Sequence, residues 1–230
     1  MKLIILSGGL GTRLQSISNG IPKALMLVGD SVFLDFLLEQ IFKYNISHVY
    51  LSLHYKQELF NEYIENCIYK DRITSIVEPE PLGTGGAVNY VIDNSPISSP
   101  FFVINGDSLS NISLDQMFKE FQSRNLTVMV GISRVKDATR YGAVLEQKGK
   151  ILSFEEKSVR GAGWINNGYY IFKKEAFDGY NGTFSLEKDL FPNLVQNQEL
   201  GAFKVADDNF IDMGVPDDYK KLCNIYDEVK

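Results

Sequence analysis

The feature that most constrains the fold is an alternation between short apolar runs and stretches with a single apolar face, sustained through about the first 135 residues. Residues 2–7 are apolar and β-branched and run straight into glycines, the signature of a buried strand. Residues 32–44 place Phe33, Phe36, Leu37, Ile41 and Phe42 at helical spacing, so one face of a helix is apolar. Residues 48–53, 73–77, 101–104 and 126–133 read as further strands, and residues 57–69, 85–92 and 114–121 as the helices between them. Strand–helix–strand alternation with short connections implies right-handed crossovers and an α/β fold, its mostly parallel sheet covered on both faces. Ligands of such sheets bind beyond the C-terminal ends of the strands. Ser7-Gly8-Gly9 and Asn105-Gly106-Asp107 both stand at such ends and are expected on one rim.

After about residue 140 the rhythm changes. Residues 141–147, 151–155, 164–172 and 202–205 are strand-like, residues 186–196 are helical, and one more helix ends the chain. This reads as an antiparallel extension that adds a lobe to the same domain. Residues 1–230 are expected to form one domain, about 1–135 in one half and about 136–230 in the other. No Pro/Gly/Ser linker and no internal repeat interrupts it, and no hexapeptide β-helix follows. No apolar stretch approaches the roughly 20 residues that span a bilayer, and the run before Ser7 is too short for a signal sequence. A cytoplasmic protein, away from membranes, is expected. The net charge of -6 argues against a nucleic-acid binder, but a nucleotide pocket needs only two or three placed cations. Cys67 and Cys223 match no metal or redox spacing, and His48 and His54 lack a third ligand for zinc.

Gly8-Gly9-Leu10-Gly11-Thr12-Arg13-Leu14 follows the first strand directly. Three glycines let backbone N–H groups turn inward as an anion-binding nest. The dinucleotide pattern G-x-G-x-x-G fails at Leu14, and the G-K-[ST] of a P-loop is absent. The loop offers Arg13, whose planar fork holds phosphate oxygens bidentately, and Pro22-Lys23 adds a mobile ammonium at the same strand end.

The run from Gly8 to Leu14 followed by Pro22-Lys23 resembles the signature of the sugar-1-phosphate nucleotidyltransferases, and the resemblance extends over nearly the whole chain. It implies a Rossmann-like, GT-A-like nucleotidyltransferase fold. Glu80-Pro81-Leu82-Gly83-Thr84-Gly85-Gly86-Ala87 resembles the family's base-recognition segment, whose glycines let a base edge approach the backbone. The implied nucleotide-binding residues are Leu6, Gly8, Gly9, Gly11, Thr12, Arg13, Lys23, Glu78, Pro81, Gly83, Thr84 and Gly106. Asp107, and Asp212 within Phe210-Ile211-Asp212-Met213-Gly214-Val215-Pro216, are similar to the family's two metal aspartates, which implies magnesium as cofactor. Arg13, Lys23 and Asp107 would be catalytic. On the sugar side, Tyr141-Gly142-Ala143-Val144, Glu156-Lys157 and Asn166-Asn167-Gly168-Tyr169-Tyr170 resemble family segments, which makes Tyr141, Gly142, Glu156, Lys157 and Asn167 the implied sugar ligands. Ser158 stands where the family usually has proline, so the loop after Lys157 departs from the pattern.

The resemblance implies transfer of a nucleoside monophosphate from a nucleoside triphosphate to a sugar 1-phosphate, with pyrophosphate released. GTP and D-glycero-D-manno-heptose 1-phosphate are the expected substrates, for surface polysaccharide synthesis, by a monomer or homodimer. A uridylyl- or cytidylyltransferase for another sugar phosphate, and a non-catalytic nucleotide-sugar-binding subunit, stand as alternatives.

Overall fold

Leu3 and Ile5 leave one face of the first strand and Ile4 the other, and all three are fully buried, so the strand needs cover on both sides. The computed structural model describes residues 1–9, 20–141, 143–155, 161–205 and 210–228. In chain order the elements are β1 (Lys2–Leu6), β2 (Leu27–Val28), β3 (Ser31–Val32), α1 (Phe33–Phe42), β4 (His48–Leu53), α2 (Gln57–Asn66), β5 (Ile73–Val77), α3 (Gly83–Asn94), β6 (Phe101–Asn105) and β7 (Ser108–Leu109). There follow α4 (Leu114–Ser123), β8 (Val128–Val135), β9 (Ala143–Gln147), β10 (Lys150–Glu155), β11 (Gly163–Phe172), α5 (Phe191–Gln196), β12 (Leu200–Val205), β13 (Ile211–Asp212) and α6 (Pro216–Glu228).

Nine strands form one sheet in the order β5-β4-β1-β6-β11-β8-β12-β10-β9. The ladders β5/β4, β4/β1, β1/β6 and β8/β12 are parallel, and those made by β11 and β10 are antiparallel. One face packs Leu3, Ile5, Leu51, Phe102 and Ile171 against helices α1, α2, α4 and α6 through Leu37, Phe60, Met117 and Leu222. The opposite face packs Ile4, Val103, Val130 and Phe172 under Val88 and Val91 of α3 and Phe191 and Leu194 of α5. Among the described residues no helix is long and apolar enough to cross a membrane.

The later strands do not stand apart as a lobe. β11 inserts between β6 and β8, both drawn from the first part of the chain. Its composition explains this: Tyr169 and Ile171 point to one core, Tyr170 and Phe172 to the other, and all four are at most 1% exposed. A strand apolar on both faces belongs in a sheet centre. The helix expected over 186–196 also divides. A wide turn, Leu186–Leu190, closes with Leu190 N–H donating to Ser185 O at 3.3 Å, and α5 restarts at Phe191-Pro192. Proline has no N–H to continue the earlier turn but fits the first turn of a new helix.

Outside the large sheet, β7 pairs with β13, setting Asp212 opposite Ser108. This two-residue ladder brings a late segment of the chain against the end of β6.

Candidate active site

β1 and β6 end side by side, tied by Gly106 N–H donating to Leu6 O at 2.9 Å, while Ser7 N–H donates to Ser52 O at 2.9 Å. A Cβ at Gly106 would lie 2.2 Å from Ser7 Oγ and 2.8 Å from Leu6 O, so only glycine fits there. Beyond these strand ends opens a cavity of about 550 Å³, a size that admits a nucleotide. Leu6, Gly8, Gly9, Lys23, Glu78, Pro81, Gly83, Thr84, Gly106 and Asp107 all line it, so ten positions scattered through the sequence are brought together. Ser7 and Asn105, expected on the same rim, line it as well, and so does His54, which was not anticipated. Gly11, Thr12 and Arg13 lie outside the described residues.

At one end of the cavity Glu78 is only 6% exposed. Its Oε1 accepts the Ser52 hydroxyl at 2.9 Å and its Oε2 the Leu82 N–H at 3.3 Å. Among the described residues each oxygen takes one such side-chain or backbone donor, and a carboxylate offers about four acceptor sites. His54 Nδ1 lies 3.2 Å from the Glu78 carbonyl oxygen. The glycines that open α3 divide their work. Gly83 and Thr84 face the cavity, whereas Gly85 and Gly86 turn toward residues 182–184, donating N–H bonds to Phe184 O at 3.0 and 3.1 Å. A Cβ at Gly86 would lie 2.4 Å from Gly182 O, so this pair serves helix packing and not approach to a base. The Thr84 hydroxyl is committed too, donating to Glu187 Oε2 at 2.8 Å and accepting Leu186 N–H at 2.9 Å.

Lys23 and Asp107 line the same cavity, and Asp212 stands beside Lys23 just outside its lining. Buried Ala24 and Leu25 anchor the short turn that carries Lys23, whose Nζ lies 2.8 Å from Asp107 Oδ2. Met213 N–H donates to Asp107 O at 2.8 Å, which fixes β13 beside Asp107. Gly214 N–H donates to Asp212 Oδ1 at 2.6 Å. A Cβ at Gly214 would lie 2.8 Å from that oxygen and 2.9 Å from Lys23 Nζ, so glycine keeps the ammonium close to both carboxylates. Burial, then the charge of Asp107, lifts the Asp212 carboxyl above its ordinary range, while Gly214 N–H and Lys23 pull the other way and Asp218 adds to the rise. Lys23 pairs directly with Asp107, and Asp212 feels the same ammonium from farther away. This hard, oxygen-only donor set with uncompensated negative charge fits a divalent cation that completes its shell with phosphate oxygens and water. Among the described residues no group of three or more His, Cys, Asp or Glu is placed to hold a metal.

The sugar side corrects one expectation. Asn167 is fully buried: its Nδ2 donates to Ser110 Oγ at 3.2 Å and Ser133 Oγ at 2.9 Å, and its Oδ1 accepts Tyr169 N–H at 3.2 Å. A side chain so enclosed is a core tie and has no face for a ligand. Its neighbour Asn166 is half-buried, its Nδ2 donating to Tyr170 Oη at 2.9 Å and its Oδ1 accepting Gly168 N–H at 3.0 Å. The pairing of β11 with β8 is irregular between Asn166 and Tyr170, and a bulge there re-aims side chains. Tyr141 is likewise engaged. Its hydroxyl donates to Asp218 Oδ2 at 2.8 Å, and its ring meets Phe210 edge-on at 5.5 Å. Burial, then Asp218, raises its phenol far above the ordinary value. Gly142, Glu156 and Lys157 lie outside the described residues.

Comparison with known proteins gives the family. The chain is 36% identical over 222 residues to D-glycero-alpha-D-manno-heptose 1-phosphate guanylyltransferase of Campylobacter jejuni, covering 95% of this chain and 97% of that protein. It is 34% identical over 223 residues to the protein of the same name from Aneurinibacillus thermoaerophilus, covering 96% of each. Its fold matches the crystal structure of HddC from Yersinia pseudotuberculosis complexed with GMP-PN at a TM-score of 0.85 and 32% identity, over 98% of this chain and 99% of that one. The nucleotidyl transferase family profile matches residues 2–228, and enzymes of that family generally use a divalent metal. This chain belongs to the nucleotidyl transferase family and is a nucleotidyltransferase.

Proposed function

We propose that the protein transfers GMP from GTP to D-glycero-D-manno-heptose 1-phosphate, with magnesium and in the cytoplasm, forming a GDP-sugar and pyrophosphate. One observation carries the choice of base: the buried Glu78 carboxylate at one end of the cavity. Guanine presents N1–H and N2–H side by side as donors, which a carboxylate accepts together. Uracil presents a single N–H between two carbonyls, and cytosine and adenine present an unprotonated ring nitrogen, so each sets an acceptor against the carboxylate. The sugar assignment draws its support from the two heptose 1-phosphate guanylyltransferases that align over nearly the whole chain.

In the proposed reaction a phosphate oxygen of the sugar 1-phosphate attacks the α-phosphorus of GTP. A new P–O bond forms, and the bond from that phosphorus to the oxygen bridging to the β-phosphate breaks. A phosphate monoester is already ionised near neutral pH, so no general base is required. Asp107 and Asp212 would hold magnesium, which would supply charge neutralisation at the transferring phosphate. Lys23 and Arg13 neutralise the triphosphate, with Gly11 and Thr12 cradling it, and Gly142, Glu156 and Lys157 meet the sugar phosphate together with Asn166. Positioning and electrostatics carry such a transfer, so Lys23→Ala is expected to lower turnover on the order of a hundredfold.

The test is pyrophosphate release from each of the four common nucleoside triphosphates, with heptose 1-phosphate and mannose 1-phosphate as acceptors. GTP with the heptose is expected to be fastest. Preference for UTP would overturn the base assignment, and release with neither acceptor the function.

A further inference from the structure

The role of Asp218 is the feature of this site that neither the sequence pattern nor the reaction accounts for. We propose that Asp218 is a positioning residue, which holds Asp212 in place for the divalent ion and ties it through Tyr141 to the sugar side of the cleft. The inference rests on Asp107 and Asp212 being the metal carboxylates.

Asp218 stands in the first turn of α6, where an acidic side chain ordinarily serves its own helix terminus. Here its Oδ2 points back along the chain, accepting Asp212 N–H at 3.2 Å and the Tyr141 hydroxyl at 2.8 Å. One carboxylate oxygen thus joins the start of α6, the metal-bearing strand β13 and the segment that leads into β9. A second contact fastens the same segment to the same helix turn, Arg140 pairing with Asp217 at 3.3 Å. The Tyr141 ring rests edge-on against Phe210, two residues before Asp212, so β13 is gripped by packing as well as by hydrogen bonds.

β13 is only two residues long, and besides Asp218 it is held by a ladder with the equally short β7, by Met213 N–H on Asp107 O at 2.8 Å and by buried Ile211 and Met213. A strand that short sets its own position weakly, and misplacing a ligand by about 1 Å is enough to cost about a hundredfold in rate. Without the Asp218 acceptor the Asp212 N–H loses its partner, and with Met213 still bound to Asp107 O it is the aim of the Asp212 carboxylate that is left less constrained. Partners that orient a metal ligand typically change metal affinity by about 10- to 100-fold when removed. Tyr141 adds to the same constraint, because its hydroxyl donates to the same Asp218 Oδ2 at 2.8 Å.

The experiment titrates Mn²⁺ by calorimetry into wild type, Asp218→Ala, Asp218→Asn and Tyr141→Phe, each saturated with α,β-methylene GTP, which cannot release pyrophosphate. Asp218→Ala is expected to weaken Mn²⁺ about 10- to 100-fold, and Asp218→Asn and Tyr141→Phe by a smaller factor. In turnover assays the same variants should need more metal for half-activation while regaining most of kcat at saturating metal. A purely structural role would lower thermal stability but leave Mn²⁺ affinity of the folded protein unchanged, and that result overturns the proposal. If Asp218→Ala does not fold, the two milder variants decide it: less than twofold weakening in both overturns it. Failure of wild type itself to bind Mn²⁺ or release pyrophosphate would instead strike at the functional reading, before any variant is compared.

Discussion

Glu78→Gln is the most informative substitution because it keeps the shape of the side chain and changes only what it offers. The carboxylate accepts the Ser52 hydroxyl on one oxygen and the Leu82 N–H on the other, and lines the cavity between them. Glutamine has one acceptor and one donor group. With its carbonyl on the Leu82 N–H, its amide can donate to the Ser52 hydroxyl, which accepts as well as donates, so stability should change little. The cost falls on binding. Losing a charged acceptor toward guanine should remove about 1.5–3 kcal/mol of binding, or roughly 10- to 150-fold in kcat/KM for GTP. The amide can meanwhile donate to a carbonyl of uracil, so discrimination between GTP and UTP should shrink by at least the same factor. The assay is pyrophosphate release with each nucleotide, well below the melting temperature of the variant, so that stability does not enter the rates. A kcat/KM for GTP within threefold of wild type, with discrimination unchanged, would refute the assignment of Glu78 to the base.

Gly106→Ala should cost about 1–3 kcal/mol in urea unfolding, because its Cβ would lie 2.2 Å from Ser7 Oγ. The Ser7 hydroxyl is buried with no hydrogen-bond partner among the described residues, so Ser7→Ala alone should be neutral or stabilising, and the double variant should be less damaged than the two single effects added together. For Glu146, burial alone would raise the carboxyl, but Lys204, the Gly149 N–H and Arg124 outweigh it and hold it below its ordinary 4.5. A depressed folded value means stability that is present above the unfolded value and lost as pH falls through the folded one. Glu146→Gln should therefore be less stable than wild type in urea at pH 7, with the gap closing in acid; a gap independent of pH would count against the pairing. Finally, magnesium at about a hundred times its dissociation constant should stabilise wild type by about 2.7 kcal/mol in a thermal scan, and Asp212→Asn should lose that increment.

The parallel half of the fold was legible because local pattern decides it. Runs such as residues 2–7 and 101–104 are apolar on both faces, and α1 carries its buried stripe at 3.6-residue spacing, so element type follows from burial alone. The insertion of β11 was harder to see, since pairing order is a property of distant segments. Even so, Tyr169 to Phe172 carried the clue, because an outer strand of an added lobe would show a polar face. The break before α5 was visible in Pro192, and the two-residue strands had too few residues for any periodicity to register.

Of the site, glycines and charges at strand ends were readable, because a loop after a buried strand has few places to go. Leu6, Gly8, Gly9 and Gly106 reach one cavity for that reason. The errors arose where one residue answers to a partner far along the chain. Asn167 and Asn166 are adjacent and chemically identical; a bulge in β11 sends one to Ser110 and Ser133 in the core and leaves the other half-buried. A one-residue change of register exchanges faces, and nothing in the dipeptide announces which way it falls. Tyr141 is similar, since its hydroxyl is spoken for by Asp218, 77 residues away. Sequence pattern thus finds residues that chemistry requires at a strand end. It does not find the ones that hold them, because an orienting contact can be supplied from any element that folding brings near. That is why Asp107 and Asp212 were recognisable and the carboxylate behind Asp212 was not.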